Sequence, residues 1–178
     1  MMQSGGQTDM VRVLIRLLGI ACLALVFAGL PSAGPITTAT PVFAQQAAMI
    51  LPDDPAPLVI HTALGNYNFS VEVADEPNER ARGLMFREEM ASDHGMLFDF
   101  GGARDIMMWM KNTPMPLDMV FIRADGTVAR VAERTVPFSE DVIPSGEPVS
   151  HVLELRAGVA RLIGLKPGDR LEHPALSR

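Results

Sequence analysis

From Leu58 onward the chain alternates between apolar and polar positions at strand spacing. Leu58 to Leu64 and Tyr67 to Ala74, the second with Phe69, Val71 and Val73 in step, flank a Gly65-Asn66 turn signal and predict a hairpin. Asp75-Glu76-Pro77 then changes the period. Asp75 is placed to cap a helix, Pro77 suits a first turn that needs no donor, and Ala81, Leu84 and Met85 recur at helical spacing. Gly83 lies inside that run, so the spacing predicts a short helix that ends before Arg87. Further strand-like runs follow at Gly95 to Phe100, Ile106 to Met110, Leu117 to Ile122, Val128 to Val136, Val149 to Leu155 and Arg170 to His173. Asp125-Gly126 supplies a hairpin turn, and a second short helix, Ala157 to Ile163, stops at Gly164. Many short strands with two small helices predict a mainly β domain, either a sandwich or a distorted barrel.

The N-terminal segment has a different character. Arg12 and Arg16 lead into an uninterrupted apolar run, Leu17 to Leu30, which breaks at Pro31 after fourteen residues. A spanning helix needs about 20. A basic lead, a short apolar run and Val42-Phe43-Ala44 before Gln45 form the layout of a secretory signal peptide cleaved near Ala44, with retention as an anchor the competing reading. The expected organisation is a signal peptide over 1–44, a Pro- and Ala-rich linker over 45–57 and one β domain over 58–178, periplasmic or secreted.

Composition narrows the function classes. Loss of Arg12, Arg16 and Asp9 with the leader takes the chain's 15 basic and 21 acidic side chains to 13 and 20, an acidic balance with no basic run. Nucleic acid is therefore not an expected partner, because phosphate contacts need a clustered basic face. Nor is a stable membrane span expected after cleavage. The sole cysteine, Cys22, lies in the leader, so the mature chain has neither a disulfide framework nor a thiol nucleophile.

Several blocks resemble a known family. Glu79-Arg-Ala-Arg-Gly-Leu-Met-Phe-Arg87, Gly95-Met-Leu-Phe98, Trp109-Met-Lys-Asn-Thr113, Pro116-Leu-Asp118 and Val152-Leu-Glu-Leu155 with Ala157-Gly158 and Gly168-Asp169 resemble DUF192 in the same order, over about residues 58–174. Met108 departs from it, standing where a second aromatic would accompany Trp109. The resemblance implies a small, often exported β-sandwich of jelly-roll type, and it implies no settled activity.

The residues themselves nominate a site. Two prolines and Asn112 interrupt the strand after Met110 and splay Lys111, Asn112 and Thr113 into a loop beside Trp109. A cation, an amide and a hydroxyl next to an indole can hold a small polar ligand, although the same groups could simply cap a sandwich end. Glu154 lies between Leu153 and Leu155, which predicts burial. A buried carboxylate is costly without a partner, and Arg82 or Arg87 could supply one. Asp118 is likewise set among apolar residues. The preferred reading is a non-catalytic binding module for a small polar or carbohydrate-like envelope ligand, built on Arg82, Arg87, Trp109, Lys111, Asn112, Asp118 and Glu154. Two others stay open. Asp118 and Glu154 could be the paired carboxylates of a carbohydrate-acting enzyme. Nine mature methionines, several between Met107 and Met119, could hold Cu(I) through soft thioethers, although methionine is also an adaptable core filler. No cofactor is expected. His61, His94, His151 and His173 show no ligand spacing, and no serine sits in a nucleophile-elbow pattern.

Overall fold

The computed structural model describes residues 47–177. The leader, Cys22 and the expected cleavage at Ala44 lie outside them. The described chain is mainly β. The predicted hairpin forms as β1 (Leu58–Thr62) and β2 (Gly65–Ala74), but its connection is Ala63-Leu64 rather than Gly65-Asn66. The Thr62 hydroxyl accepts from the Leu64 amide at 3.1 Å, so the turn closes one residue pair earlier. After β2 the chain forms helix α1 (Pro77–Arg82) and returns as β3 (His94–Arg104), parallel to β2. Glu79 Oε2 accepts from the amides of Asp75 and Glu76, so the helix is capped from Glu76 rather than by Asp75.

A two-stranded ribbon pairs β4 (Met107–Met108) with β7 (Ile143–Pro144). Strands β5 (Leu117–Ile122) and β6 (Val128–Ala132) form the Asp125-Gly126 hairpin. Strand β8 (Val149–Arg156) enters between β5 and β3, followed by the single turn α2 (Val159–Leu162) and β9 (Arg170–Glu172). The seven-stranded order is β6-β5-β8-β3-β2-β1-β9, and the sheet curls into a distorted half-barrel. Its two ends approach each other, for Thr127 and Arg170 form a bridge and the Leu171 amide donates to Gly126 at 2.8 Å. Val128 to Val136, read from the pattern as one strand, ends at Ala132. Arg134 turns to φ 52°, and its amide donates to Asp118 instead of a ladder partner.

Each face of the sheet carries its own core, as period-2 alternation requires. Inside the curl, all seven strands contribute, with Ile60, Val71, Leu97, Val120, Val128, Leu153 and Leu171 among them. The outer face of the central strands carries Met96, Phe98, Met119, Phe121 and Val152, covered by Leu84, Met90, Ile106, Met110 and Met115 from the connecting segments. Gly95 permits the close β3–β8 approach, since a Cβ there would sit 2.8 Å from the Glu154 carbonyl oxygen.

The residues expected to be a linker lie against the domain from their first described positions. Met49 and Leu51 pack on the outer core, and the Asp54 amide donates to Val71 at 2.8 Å. No helix among the described residues is long and apolar enough to cross a membrane.

Candidate functional site

Strand register decides where the charged side chains point. Glu154 on β8 pairs with Met96 on β3 and Met119 on β5, so its side chain enters the outer, methionine-rich layer. Asp118 pairs with Leu155, one step along, and therefore lies on the inner face. The two carboxylates are on opposite sides of the sheet. They cannot flank one scissile bond, and the paired-carboxylate reading of Asp118 and Glu154 fails on geometry.

Asp118 is fully buried and its carboxylate is already occupied. Oδ2 accepts from the Gly158 amide at 2.8 Å and the Ala160 amide at 3.0 Å, and Oδ1 accepts from Arg134 at 2.8 Å. It ties the start of α2 and the end of β6 to β5. Arg87 is also committed elsewhere. Its guanidinium forms a buried two-pronged pair with Glu72, at 2.5 and 2.9 Å, and donates to the Met49 carbonyl at 2.6 Å. His94 and the Leu51 amide complete the shell of Glu72 at 3.0 and 2.8 Å. Burial pushes the Glu72 carboxyl up, but Arg87, His94 and Leu51 together outweigh it and hold it below the usual carboxylate range. Asp53, Glu72 and His94 bring potential ligand atoms within 4.8 Å of one another. A cation there would face the Arg87 guanidinium, so this cluster is an ion-pair node that straps residues 49–54 to the sheet.

Glu154 is different. It is 4% exposed, as its leucine neighbours predict, yet neither Arg82 nor Arg87 reaches it, and its carboxyl makes no hydrogen bond or ion pair among the described residues. Burial alone pushes its pKa up to about 8, so the group is a neutral acid at pH 7. The expected arginine partner is absent because Arg87 is drawn to Glu72 and the Arg82 guanidinium is drawn to the Ala47 carbonyl and the Phe86 ring. The Arg82 guanidinium donates to the Ala47 carbonyl and lies 5.1 Å from the Phe86 ring centre.

The carboxyl of Glu154 forms part of the wall of a cavity of about 310 Å³. One side of the cavity is the end of α1, from Arg80 to Met85. Gly83 makes this possible: it takes φ 48°, and a Cβ there would meet the Phe98 ring at 3.0 Å. The opposite side is the β4 region, Met107, Met108, Trp109, Lys111 and Thr113, and the sheet contributes Phe98 and Phe100. Trp109 is 46% exposed at the mouth, and Lys111 Nζ lies 5.3 Å from its ring centre. Arg80 is fixed at 2.9 Å by the Asp99 carbonyl and lies 5.9 Å from the Phe100 ring centre.

Of the residues nominated from the sequence, Arg82, Trp109, Lys111 and Glu154 line this one cavity, whereas Arg87 and Asp118 do not. Asn112 takes φ 55° and borders a separate surface cleft between Phe86 and Phe138. Sequence reasoning missed Arg80, Phe98 and Phe100. The alternation Met96-Phe98-Phe100 on the strand beside Glu154 was the available signal for the two rings. The methionines divide as well. Met90, Met96, Met110, Met115 and Met119 fill the outer core, while Met85, Met107 and Met108 line the cavity.

Comparison with known proteins agrees with this architecture. The profile of the DUF192 family, described as "Uncharacterized ACR", matches residues 59–173. A solved structure from Sinorhizobium meliloti 1021, provisionally named a transcription regulator, is 52% identical with a TM-score of 0.65, covering 67% of this chain and 93% of its own. Another, a protein of unknown function from Novosphingobium aromaticivorans DSM 12444, is 32% identical with a TM-score of 0.66, covering 82% and 94%. No curated protein matches the chain.

Proposed function

This chain belongs to the DUF192 family, and for it we propose a binding function: an exported β domain whose cavity over Glu154 takes a small polar ligand of the cell envelope. Glu154 carries the reading. A buried carboxyl without a partner is costly to keep, and structural roles are normally accompanied by hydrogen bonds. Here the group borders a cavity at the small end of the ligand-pocket range, with an indole at the mouth. Stability alone would favour another methionine at that position, beside Met96 and Met119. Export rests on the basic lead, the short apolar run and the small residues before Gln45. N-terminal sequencing of protein from a periplasmic extract should return a start near Gln45, and a start before Leu30 would refute cleavage. The name of the Sinorhizobium relative suggests nucleic acid, but the net charge of −6 does not favour phosphate contacts.

The binding reading is tested by a fragment screen on protein labelled at its methionine methyls. Hits should move the signals of Met85, Met107 and Met108, and Glu154→Leu should weaken them. Hits that leave those three signals still would overturn it. The same three thioethers favour a second reading, a Cu(I) site beside Trp109. A chelator competition that gives an affinity no tighter than micromolar would dispose of that one.

A further inference from the structure

The cavity is unequal in charge as well as in polarity. Three cations, Arg80, Arg82 and Lys111, line it, and Glu154 is its only acidic lining residue among the described residues. This stands out in a chain with a net charge of −6. The Arg80 guanidinium donates to the Asp75 and Asp99 carbonyls and that of Arg82 to the Ala47 carbonyl. Among the described residues the one carboxylate paired with Lys111 is the exposed Glu140, at 3.7 Å, the kind of surface pair that contributes little. Between these cations and Glu154 the walls are Phe98, Phe100, Leu84 and methionine.

We propose that the cavity takes a small organic carboxylate, its anionic head among Arg80, Arg82 and Lys111, its apolar body against Phe98 and Trp109, and a hydrogen-bond acceptor facing Glu154. The proposal rests on the reading of this cavity as a ligand site and adds the ligand's chemical class. A cationic ligand would have to settle beside three like charges, which is unfavourable in a partly desolvated space. An anion finds donors with no competing carboxylate on the wall. Inside, Glu154 is neutral at pH 7 because burial raises its pKa to about 8, so it presents one O–H donor and repels no anion. That donor lacks a protein acceptor, and a ligand carbonyl or ether oxygen would supply one.

Three probes separate the parts of this proposal by calorimetry at pH 7. 4-Acetylbenzoate carries both head and acceptor, 4-acetylbenzamide has a neutral head, and 4-isopropylbenzoate lacks the acceptor. The first should bind about tenfold or more tightly than either of the others, the gain expected from one well-made charge-assisted or buried hydrogen bond. Arg82→Gln, and separately Lys111→Gln in case the first variant folds poorly, should shrink the preference for benzoate over benzamide. Glu154→Leu should erase the preference for acetyl over isopropyl. Equal affinity for benzoate and benzamide, both weakened by Glu154→Leu, would overturn the anion class and leave the binding site standing. Binding of none of the three would overturn the class as well, and the methionine-methyl screen then decides the cavity on its own evidence.

Discussion

Replacing Glu154 with glutamine should alter the pH dependence of stability in a direction set by the raised pKa of this carboxyl. Unfolded, the carboxyl has its ordinary pKa of 4.5, and folded it is pushed to about 8. Between those values the folded chain holds a proton that the unfolded chain has released, so stability falls as pH rises through this window. The slope is about 1.4 kcal/mol per pH unit for a fully protonated folded carboxyl, and folding at pH 7 carries a cost of roughly 3 kcal/mol from this group. Glutamine keeps the shape and cannot titrate. Urea denaturation of both proteins at pH 5, 6, 7 and 8 should show the variant gaining on the parent by roughly 3 kcal/mol or more across the series. The difference between the two proteins cancels other titrations. His151, held below its ordinary value by burial against the opposing pull of Asp99, loses stability as pH falls below about 6.5 in both chains. A difference independent of pH would refute the argument, because it would mean that Glu154 ionises normally in the fold.

Other substitutions test the structural roles assigned above. Arg87→Met leaves the Glu72 carboxylate buried without its cation and frees the Met49 carbonyl, so chemical denaturation should show a loss of about 3–5 kcal/mol. Asp118→Ala removes the acceptor of three backbone amides and should cost roughly 3 kcal/mol or more in the same assay. Gly83→Ala forces a Cβ toward the Phe98 ring at φ 48° and should cost about 1–2 kcal/mol, with a shift of the Met85 methyl signal that reports the disturbed cavity wall.

Much of the fold was legible because it rests on local pattern. Alternating side chains marked most of the strands of the curled sheet, and Pro77 marked the start of the first helix, which ends at Arg82, short of the Leu84 and Met85 that the spacing had included. The parallel pairing of β2 with β3 and the entry of β8 between β3 and β5 are long-range choices that carry no local signature. The Met107-Met108 ribbon is short because its partner, Ile143-Pro144, offers only two residues and one of them is a proline. The candidate site was legible in the same measure. Leucines on either side of Glu154 announced its burial, and the Trp109-Lys111 loop announced a polar mouth. Which acid each arginine would meet could not be read, because Glu72 and Arg87 are brought together by the crossover and not by spacing. Asp118 looked like Glu154 in the sequence, but a shift of one residue in pairing put it on the opposite face.

The most direct test of the central claim is the titration of the Glu154 carboxyl carbon in protein labelled at glutamate, with and without 4-acetylbenzoate. The signal, assigned by its loss in Glu154→Gln, should titrate with a midpoint near 8, and it should move when the probe is added at pH 7. A midpoint near the ordinary 4.5, with no response to the probe, would contradict the account.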